Sequence, residues 1–364
     1  MRVIKDPTNI SFPGWGIGEF TLDKIAFSIG RLDIRWYALF ITTGIVLAFL
    51  YATWRGKKSE NIIADDVIDI GIWTVILGVI GARLYYVLTD SGNTYESLRD
   101  VIAVWEGGLA IYGGIIGGCL GIILTCLVKK IKWQKAFDMI GPGVMLAQSL
   151  GRWGNFFNGE AFGYPIGEQT KYYFFNTEFS LKSGEGTLFN LFRMGVSQRN
   201  YPIVEYYHPT FLYECVWNLL GFALINILYK RKRFDGQVAL MYFGWYGFGR
   251  MFIEGFRTDS LYIPGTTLRI SQCLGFACFI VSAILLAVFL LLPVIRRRMR
   301  KDGAEVAVAA ETASSEEIAI PAVEEAAVEG EETEKTVDAV PENGETSEEK
   351  SEEKSEECDD GKLN

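Results

Sequence analysis

The sequence predicts an all-α integral membrane protein with seven transmembrane helices and a disordered acidic tail. Nearly half of the 364 residues (49%) are hydrophobic. Seven stretches come close to the roughly 20 apolar residues that a membrane-spanning helix needs. Clusters of Lys and Arg follow every second stretch. We place the spans at residues 33–54, 67–89, 109–128, 134–153, 209–229, 237–256 and 268–294.

The basic clusters test this number of spans. With seven spans all the clusters fall on one side of the membrane, which the positive-inside rule makes the cytoplasmic side. Adding or removing one internal span breaks this agreement. The sequence therefore predicts an N-terminus outside and a C-terminus in the cytoplasm. The clusters follow spans one, three, five and seven, at residues 55–58, 129–135, 230–233 and 296–301.

The individual spans differ in character. Spans two and three are rich in glycine, and we interpret Gly117, Gly118 and Gly121 as helix-packing positions. Asp138 interrupts span four, as does the run Gly-Pro-Gly that follows it. A packed bundle tolerates such residues because neighbouring helices satisfy the freed backbone groups.

Two further segments complete the domain organisation. Residues 154–208 are too many for a simple connection, so we expect a small head outside the membrane. Residues 301–364 contain 22 acidic and five basic residues and no aromatic residue. Such a composition cannot bury enough apolar surface to fold, so we expect a disordered cytoplasmic tail. Residues 1–300 form the predicted membrane domain and carry a net positive charge.

Composition and motifs exclude several classes of protein. None of the six cysteines lies in a predicted outer loop, and neither a disulfide framework nor a metal-binding pair is visible. We expect no metal and no other cofactor. The chain has neither a Walker A sequence nor a GxSxG motif, and its basic residues flank spans rather than forming a nucleic-acid-binding face. The N-terminal residues do not read as a cleavable signal peptide.

Polar and ionisable residues converge at the predicted outer ends of different spans. Such residues are costly in a membrane and usually face a polar cavity. Tyr246, Arg250 and Glu254 are spaced by four residues and share one helix face. The alternative to a polar cavity is that Arg250 and Glu254 form a local ion pair with only a structural role. The residues and segments that lie at the predicted outer ends of the spans are Tyr37, Arg83, Glu106–Gly114, Gly151–Glu160, His208–Glu214 and Tyr246–Glu254.

Several arginines at one membrane depth favour a phosphate-bearing ligand. Guanidinium groups bind phosphate through paired hydrogen bonds. Arg152 at the end of span four and Arg250 at the end of span six are predicted at the same outer level. A phosphate-bearing ligand that enters from the outer leaflet would be a phospholipid.

These segments resemble the bacterial prolipoprotein diacylglyceryl transferase family. The most specific match is Gly151–Glu160 together with Gly163, and the other matching segments are Glu106–Gly114, His208–Glu214 and Tyr246–Glu254 with Arg257. The similarity covers about residues 1–300. It implies transfer of a diacylglyceryl group from phosphatidylglycerol to the lipobox cysteine of a prolipoprotein signal peptide, with glycerol phosphate as by-product, in the bacterial plasma membrane. It also implies no cofactor.

The resemblance also implies roles for individual residues. Arg152 and Arg250 would hold the phosphate of the donor lipid and take part in catalysis. Tyr37, Tyr112 and Glu160 are the further catalytic candidates. The remaining candidates for binding phosphatidylglycerol are Asn155, Asn158, Gly163, His208, Tyr246 and Glu254.

One position departs from the family pattern. Many members have a histidine where this chain has Tyr112, and that histidine is often proposed as the base that activates the thiol. A tyrosine hydroxyl is a poor base at neutral pH. Three explanations stay open: Tyr112 acts with a neighbouring arginine, His208 or Glu160 takes the proton, or the position only orients the substrate.

Two other functions would explain some of the same residues. A transporter or lipid-flipping protein would use the arginines as a phosphate path, and would often contain an internal repeat. The sequence shows no clear repeat, and the polar residues lie toward one side. A CDP-alcohol phosphotransferase would carry an aspartate-rich metal motif, which the sequence does not contain.

Overall fold

The computed structural model describes residues 7–30, 32–90, 97–160, 162–198, 203 and 205–319. Within these residues helices predominate. The helices are α1 (Trp36–Arg55), α2 (Ala64–Thr89), α3 (Leu98–Ile102), α4 (Ile111–Val128), α5 (Trp133–Asn158), α6 (Leu188–Leu191), α7 (Thr210–Tyr229), α8 (Gln237–Ile253) and α9 (Ile270–Ala319). The strands are β1 (Pro7–Phe12), β2 (Ile17–Thr21), β3 (Ile25–Ile29), β4 (Leu32–Arg35), β5 (Gln169–Phe174), β6 (Thr177–Lys182), β7 (Met194–Gln198) and β8 (Tyr206–Tyr207).

The strands correct the prediction of an all-α protein. Strands β3 and β4 form one antiparallel pair, and β5 and β6 form another. A third sheet has the order β2-β1-β7-β8 and joins the N-terminal segment to residues 194–207. Ile10 and Val196 pair in this sheet and are both buried. The sequence pattern did not reveal these strands because they are short, and because β1 pairs with β7, a segment far away in the sequence.

The helices agree in part with the predicted spans. Among the described residues, five helices are long and apolar enough to cross a membrane: α1 with the turn after it, α2, α4, α7 and α9. Helices α5 and α8 lie at the positions of predicted spans four and six but are not among the five. Helix α5 carries Asp138, Gln148 and Arg152, whereas α8 has only 17 residues. The described residues therefore form a mostly helical protein with the character of a multi-pass membrane protein.

Helices α2 and α4 pack backbone against backbone. A Cβ atom on Gly117 would lie 2.1 Å from the carbonyl oxygen of Leu77, and one on Gly121 would lie 2.6 Å from that of Trp73. A Cβ atom on Gly81 would likewise lie 2.5 Å from the carbonyl oxygen of Gly113. The predicted packing role is confirmed for Gly117 and Gly121, where any side chain would separate the helices.

The chain divides into two compact units. The first comprises Met1–Arg298 and contains every site described below. The second begins at Met299, and its described part, as far as Ala319, is helical. Residues 320–364, where most of the acidic tail lies, are outside the described residues. The disorder of that segment stays a prediction.

A buried polar group joins α5 to the end of α7 and the start of α8. We call Glu60, Asp138, Tyr229 and Lys232 the lysine cluster. Lys232 Nζ lies 2.6 Å from Glu60 Oε2 and 3.0 Å from Asp138 Oδ2, and Tyr229 donates a hydrogen bond to Glu60. Asp138 also accepts the backbone N–H groups of residues 236 and 239, so the residue that interrupts span four caps helix α8.

Candidate functional site

The second turn of α7 places a carboxylate among three arginines. Glu214 is only 3% exposed. Its Oε1 accepts hydrogen bonds from Arg250 Nη1 at 2.7 Å and from Arg257 Nη1 at 3.0 Å. Its Oε2 lies 2.5 Å from Arg152 Nη2. Arginines from the end of α5, the end of α8 and the segment after α8 therefore meet at one buried carboxylate.

A second buried carboxylate, Glu254, supports two of these three arginines. Its Oε2 lies 2.6 Å from Arg250 Nη2, one helical turn earlier, and 3.8 Å from Arg257 Nε. Arg257 is also held by two parallel hydrogen bonds to Asp259, at 2.7 Å and 3.0 Å. We call Arg152, Glu214, Arg250, Glu254 and Arg257 the arginine cluster.

Two contacts of the arginine cluster lack a directed hydrogen bond. The buried Oε2 atoms of Glu214 and Glu254 each receive no hydrogen bond of good geometry, although a guanidinium nitrogen lies close to both. Charge attraction therefore holds these contacts more than aligned hydrogen bonding does. Because hydrogen bonds weaken steeply with misalignment, an incoming anion can displace these contacts at a smaller cost in free energy than aligned hydrogen bonds would require.

The arrangement suits the binding of a phosphate group. A guanidinium presents several N–H donors in a planar fork that matches phosphate oxygens. Arg152 retains a side-chain exposure of 19%, which leaves part of it accessible to a ligand. Glu214, Trp217, Asn218, Tyr246, Arg250 and Ile253 line a narrow crevice beside the cluster. The buried Oδ1 of Asn218 accepts no hydrogen bond. Among the described residues no cluster of metal-ligating side chains occurs.

His208 lies in a separate, fully buried setting. Its Nε2 lies 3.0 Å from Thr170 Oγ1 and its Nδ1 lies 3.1 Å from Tyr213 Oη. Burial lowers the pKa of His208 to about 4, so the ring is neutral near pH 7. Both ring nitrogens are already engaged, which favours a role in holding strand β5 against the start of α7.

Comparisons with known proteins identify the family. Residues 24–288 match the family model described as prolipoprotein diacylglyceryl transferase. The chain belongs to the prolipoprotein diacylglyceryl transferase family. A protein of Lactobacillus acidophilus named phosphatidylglycerol–prolipoprotein diacylglyceryl transferase is 41% identical over 73% of this chain and 90% of its own length. Proteins of the same name from Streptococcus pneumoniae and Streptococcus mutans are 42% and 40% identical, over 74% and 76% of this chain and 94% and 96% of their own lengths.

In this member of the transferase family, several of the predicted site residues lie close together. Arg152, Arg250 and Glu254 lie in the arginine cluster, and Tyr246 lines the crevice beside it. Asn155 accepts a 3.4 Å hydrogen bond from Arg152 Nη1, one turn earlier in α5.

Tyr37 lies beside the arginine-bearing end of α5. A Cβ atom on Gly154 would lie 3.0 Å from the Tyr37 ring, so the two helices touch two residues after Arg152. Gly163 also has a packing role, because its amide donates to the carbonyl oxygen of His208 and a Cβ atom there would lie 2.6 Å from the carbonyl oxygen of Phe256.

Three other candidates of the family pattern lie apart from these contacts. Within the described part of the chain, no hydrogen bond or ion pair joins the side chain of Asn158, Glu160 or Tyr112 to the arginine cluster. Glu160 is exposed. The Tyr112 ring packs 6.4 Å from that of Tyr85.

Arg83 organises the segment before Tyr112. This buried arginine donates to the backbone carbonyl oxygens of Asp100, Val101, Gly107 and Gly108, at 2.6–3.1 Å. Carbonyl oxygens thus satisfy its guanidinium group. Of the outer-end arginines singled out in the sequence, Arg83 therefore has a loop-holding function rather than a place in the cluster.

Sequence reasoning missed the central residue of the site. Glu214 appeared only as the last residue of the segment that begins at His208, and Arg257 only as an addition to the α8 motif. The available signal was that Glu214 lies one turn inside an apolar helix, where an ionised carboxylate requires a cationic partner.

Proposed function

We propose that this chain transfers the diacylglyceryl group of phosphatidylglycerol to the thiol of the lipobox cysteine of a prolipoprotein. The by-product is glycerol phosphate. The observation that carries the proposal is the arginine cluster, in which three guanidinium groups meet at Glu214. The names of relatives about 40% identical over most of this chain support the same activity.

The reaction exchanges one bond at a glycerol carbon. The cysteine sulfur forms a bond to the carbon that carries the phosphate ester, and the carbon–oxygen bond to phosphate breaks. The electron pair of that bond leaves with glycerol phosphate, and the thiol proton goes to a base. Because charge accumulates on the departing phosphate, fixed arginines stabilise the transition state more than they stabilise the donor lipid.

Each cluster residue then has a defined task. Arg152 and Arg250 bind the phosphate, and Arg257 adds a third guanidinium group, which shares Glu214 Oε1 with Arg250. Glu214 and Glu254 hold the arginines in position while the site is empty. As the phosphate binds, it replaces the misaligned contacts with aligned, charge-assisted hydrogen bonds.

The base is chosen among the three sequence candidates. His208 is neutral and has both nitrogens engaged, which disfavours it. Glu160 is exposed and makes no side-chain ion pair among the described residues. Tyr112 lies in the first turn of helix α4, shortly after the backbone segment that Arg83 holds. Of these, we favour a substrate-orienting role for Tyr112 and proton acceptance by Glu160 or by solvent.

We also propose a seven-span topology in the bacterial plasma membrane. Helices α5 and α8 would be the fourth and sixth spans, shielded by their neighbours. The N-terminus would lie outside and the C-terminus in the cytoplasm, because all the basic clusters then share the cytoplasmic side. The arginine cluster would face the outer leaflet, where phosphatidylglycerol and the prolipoprotein signal peptide would reach it.

Purified protein tests the proposal directly. It is mixed in detergent with phosphatidylglycerol and a lipobox peptide, and the mass of the peptide is measured by mass spectrometry. We expect a diacylglyceryl mass increment that disappears when the peptide cysteine is replaced by serine. A folded, lipid-binding protein that gives no increment would refute the transferase and support the transporter alternative.

A further inference from the structure

An apolar groove runs between α7, α8 and α9. Its volume is about 360 Å³, within the range of about 300–1,000 Å³ that is usual for ligand pockets. The lining is almost wholly apolar and comprises Trp217, Leu224, Ile225, Met241, Gly244, Trp245, Phe248, Phe279, Ala283 and Leu286.

The groove and the crevice beside Arg250 adjoin at one residue. Trp217 lines both spaces, whereas Glu214 and Arg250 line only the crevice. A molecule whose anionic group binds at Arg250 would therefore have the groove on the other side of Trp217 for its apolar part. Charge at one end and apolar surface at the other match a phospholipid.

The direction of the groove follows the helix axes. Its lining covers residues 217–225 of α7, 241–248 of α8 and 279–286 of α9. At 1.5 Å per residue these stretches each extend roughly 10 Å away from the level of Glu214 and Arg250. An acyl chain of a phospholipid held by the arginines would lie along this direction.

The wall shared with the crevice is built rigidly. The rings of Trp217 and Trp245 stack with centroids 4.3 Å apart. Each indole N–H donates to the backbone carbonyl oxygen of the other residue, both at 2.9 Å. Each ring also packs on a glycine of the facing helix, Gly249 and Gly221, where a Cβ atom would lie within 2.4 Å of the ring. These paired contacts hold the two rings of the wall in a fixed arrangement.

We propose that this groove holds one acyl chain of the donor phospholipid while the arginine cluster holds its phosphate. The proposal rests on the proposed function, because it assigns the donor's chain to the same site. It further implies that chain length contributes to donor recognition through the groove.

The substitution Ala283→Phe tests this assignment, since Ala283 lines the groove and the larger ring would fill it. The matched control is Ala277→Phe, on an exposed position of the same helix that does not line the groove. KM and kcat for transfer are measured with dioleoyl and with dioctanoyl phosphatidylglycerol. We expect Ala283→Phe to raise KM for the dioleoyl donor about 10-fold or more, as hydrophobic pockets discriminate by size, with a much smaller change for the dioctanoyl donor.

Three results would overturn the assignment. These are an equal effect on both donors, the same donor selectivity in Ala277→Phe, and a change confined to KM for the peptide, which would mean that the signal peptide occupies the groove. A photoactivatable group near the end of a phosphatidylglycerol chain gives an independent readout. Crosslinks to the lining of α7, α8 or α9 support the groove even if the unaltered protein transfers nothing, whereas crosslinks elsewhere refute it.

Discussion

Two buried polar clusters lie at opposite ends of the α7–α8 pair, and they differ in how well their charges are satisfied. In the lysine cluster, Asp138 accepts two backbone N–H groups as well as Lys232, and Glu60 accepts a tyrosine hydroxyl as well. In the arginine cluster, one oxygen of Glu214 and one of Glu254 lack an aligned donor. Buried charge alone therefore does not indicate a ligand site. The cluster that we propose as the ligand site is the one in which several like charges meet carboxylates that are incompletely hydrogen-bonded.

The lysine cluster should carry the larger effect on stability. Replacement of Lys232 by methionine leaves Glu60 and Asp138 buried without their cation, so we expect the free energy of unfolding to fall by about 3–5 kcal/mol. Thermal unfolding of the detergent-purified protein measures the change. The control is Lys132→Met, because Lys132 is 70% exposed in its pair with Asp235. Equal thermal stability of the two variants would contradict a structural role for the cluster.

The arginine cluster should carry the larger effect on transfer. Arg250→Lys keeps the charge but loses the planar fork, so we expect kcat/KM to fall about 100-fold, as for the loss of one oriented donor. The melting temperature should change little. Arg152→Lys should act in the same direction, whereas Arg99→Lys, at an exposed position outside both clusters, should have no effect. Near-normal turnover in both cluster variants would remove the arginines from the mechanism.

Tyr112 belongs to neither cluster and should matter less than Arg250. Because its hydroxyl makes no bond to the arginine cluster among the described contacts, we expect Tyr112→Phe to retain transfer within about 10-fold, below the 10²–10⁴ that a general base contributes. Tyr112→His is the informative companion variant. A loss above about 100-fold in the phenylalanine variant, recovered in the histidine variant, would instead make this position the base.

The smallest effect should come from the tail. Both clusters lie between residues 60 and 257, within the first compact unit. A chain that ends after Lys301 should therefore insert, melt and transfer like the full chain. The same mass-spectrometric assay compares the two. A truncated protein that inserts normally but does not transfer would give the tail a part in catalysis.

The sequence was most informative where local periodicity decides the structure. The apolar runs located the long helices, and the spacing of Arg250 and Glu254 predicted their shared face and the observed ion pair. The depth of Arg152 and Arg250 predicted that they meet. The Arg250–Glu254 pair turned out to be one part of a larger cluster rather than an isolated structural contact.

Contacts between distant segments could not be predicted from the sequence alone. Asp138 disturbs a span when read locally, and only tertiary packing shows that its carboxylate caps α8 a hundred residues later. The pairing of β1 with β7 and the central position of Glu214 depend in the same way on how helices and strands assemble. No local pattern specifies which of several arginines a carboxylate will meet.

The backbone contact between α2 and α4 has a mechanical consequence. Where glycine faces backbone, as at Gly117 and Gly121, no side chain can change rotamer to absorb a displacement. We therefore expect the two helices to move together as a rigid body if the membrane thickens or bends. Tyr112, at the start of α4, would move with them. Deep mutational scanning should show this seam as a narrow line of intolerant positions on a membrane face that otherwise accepts most apolar residues.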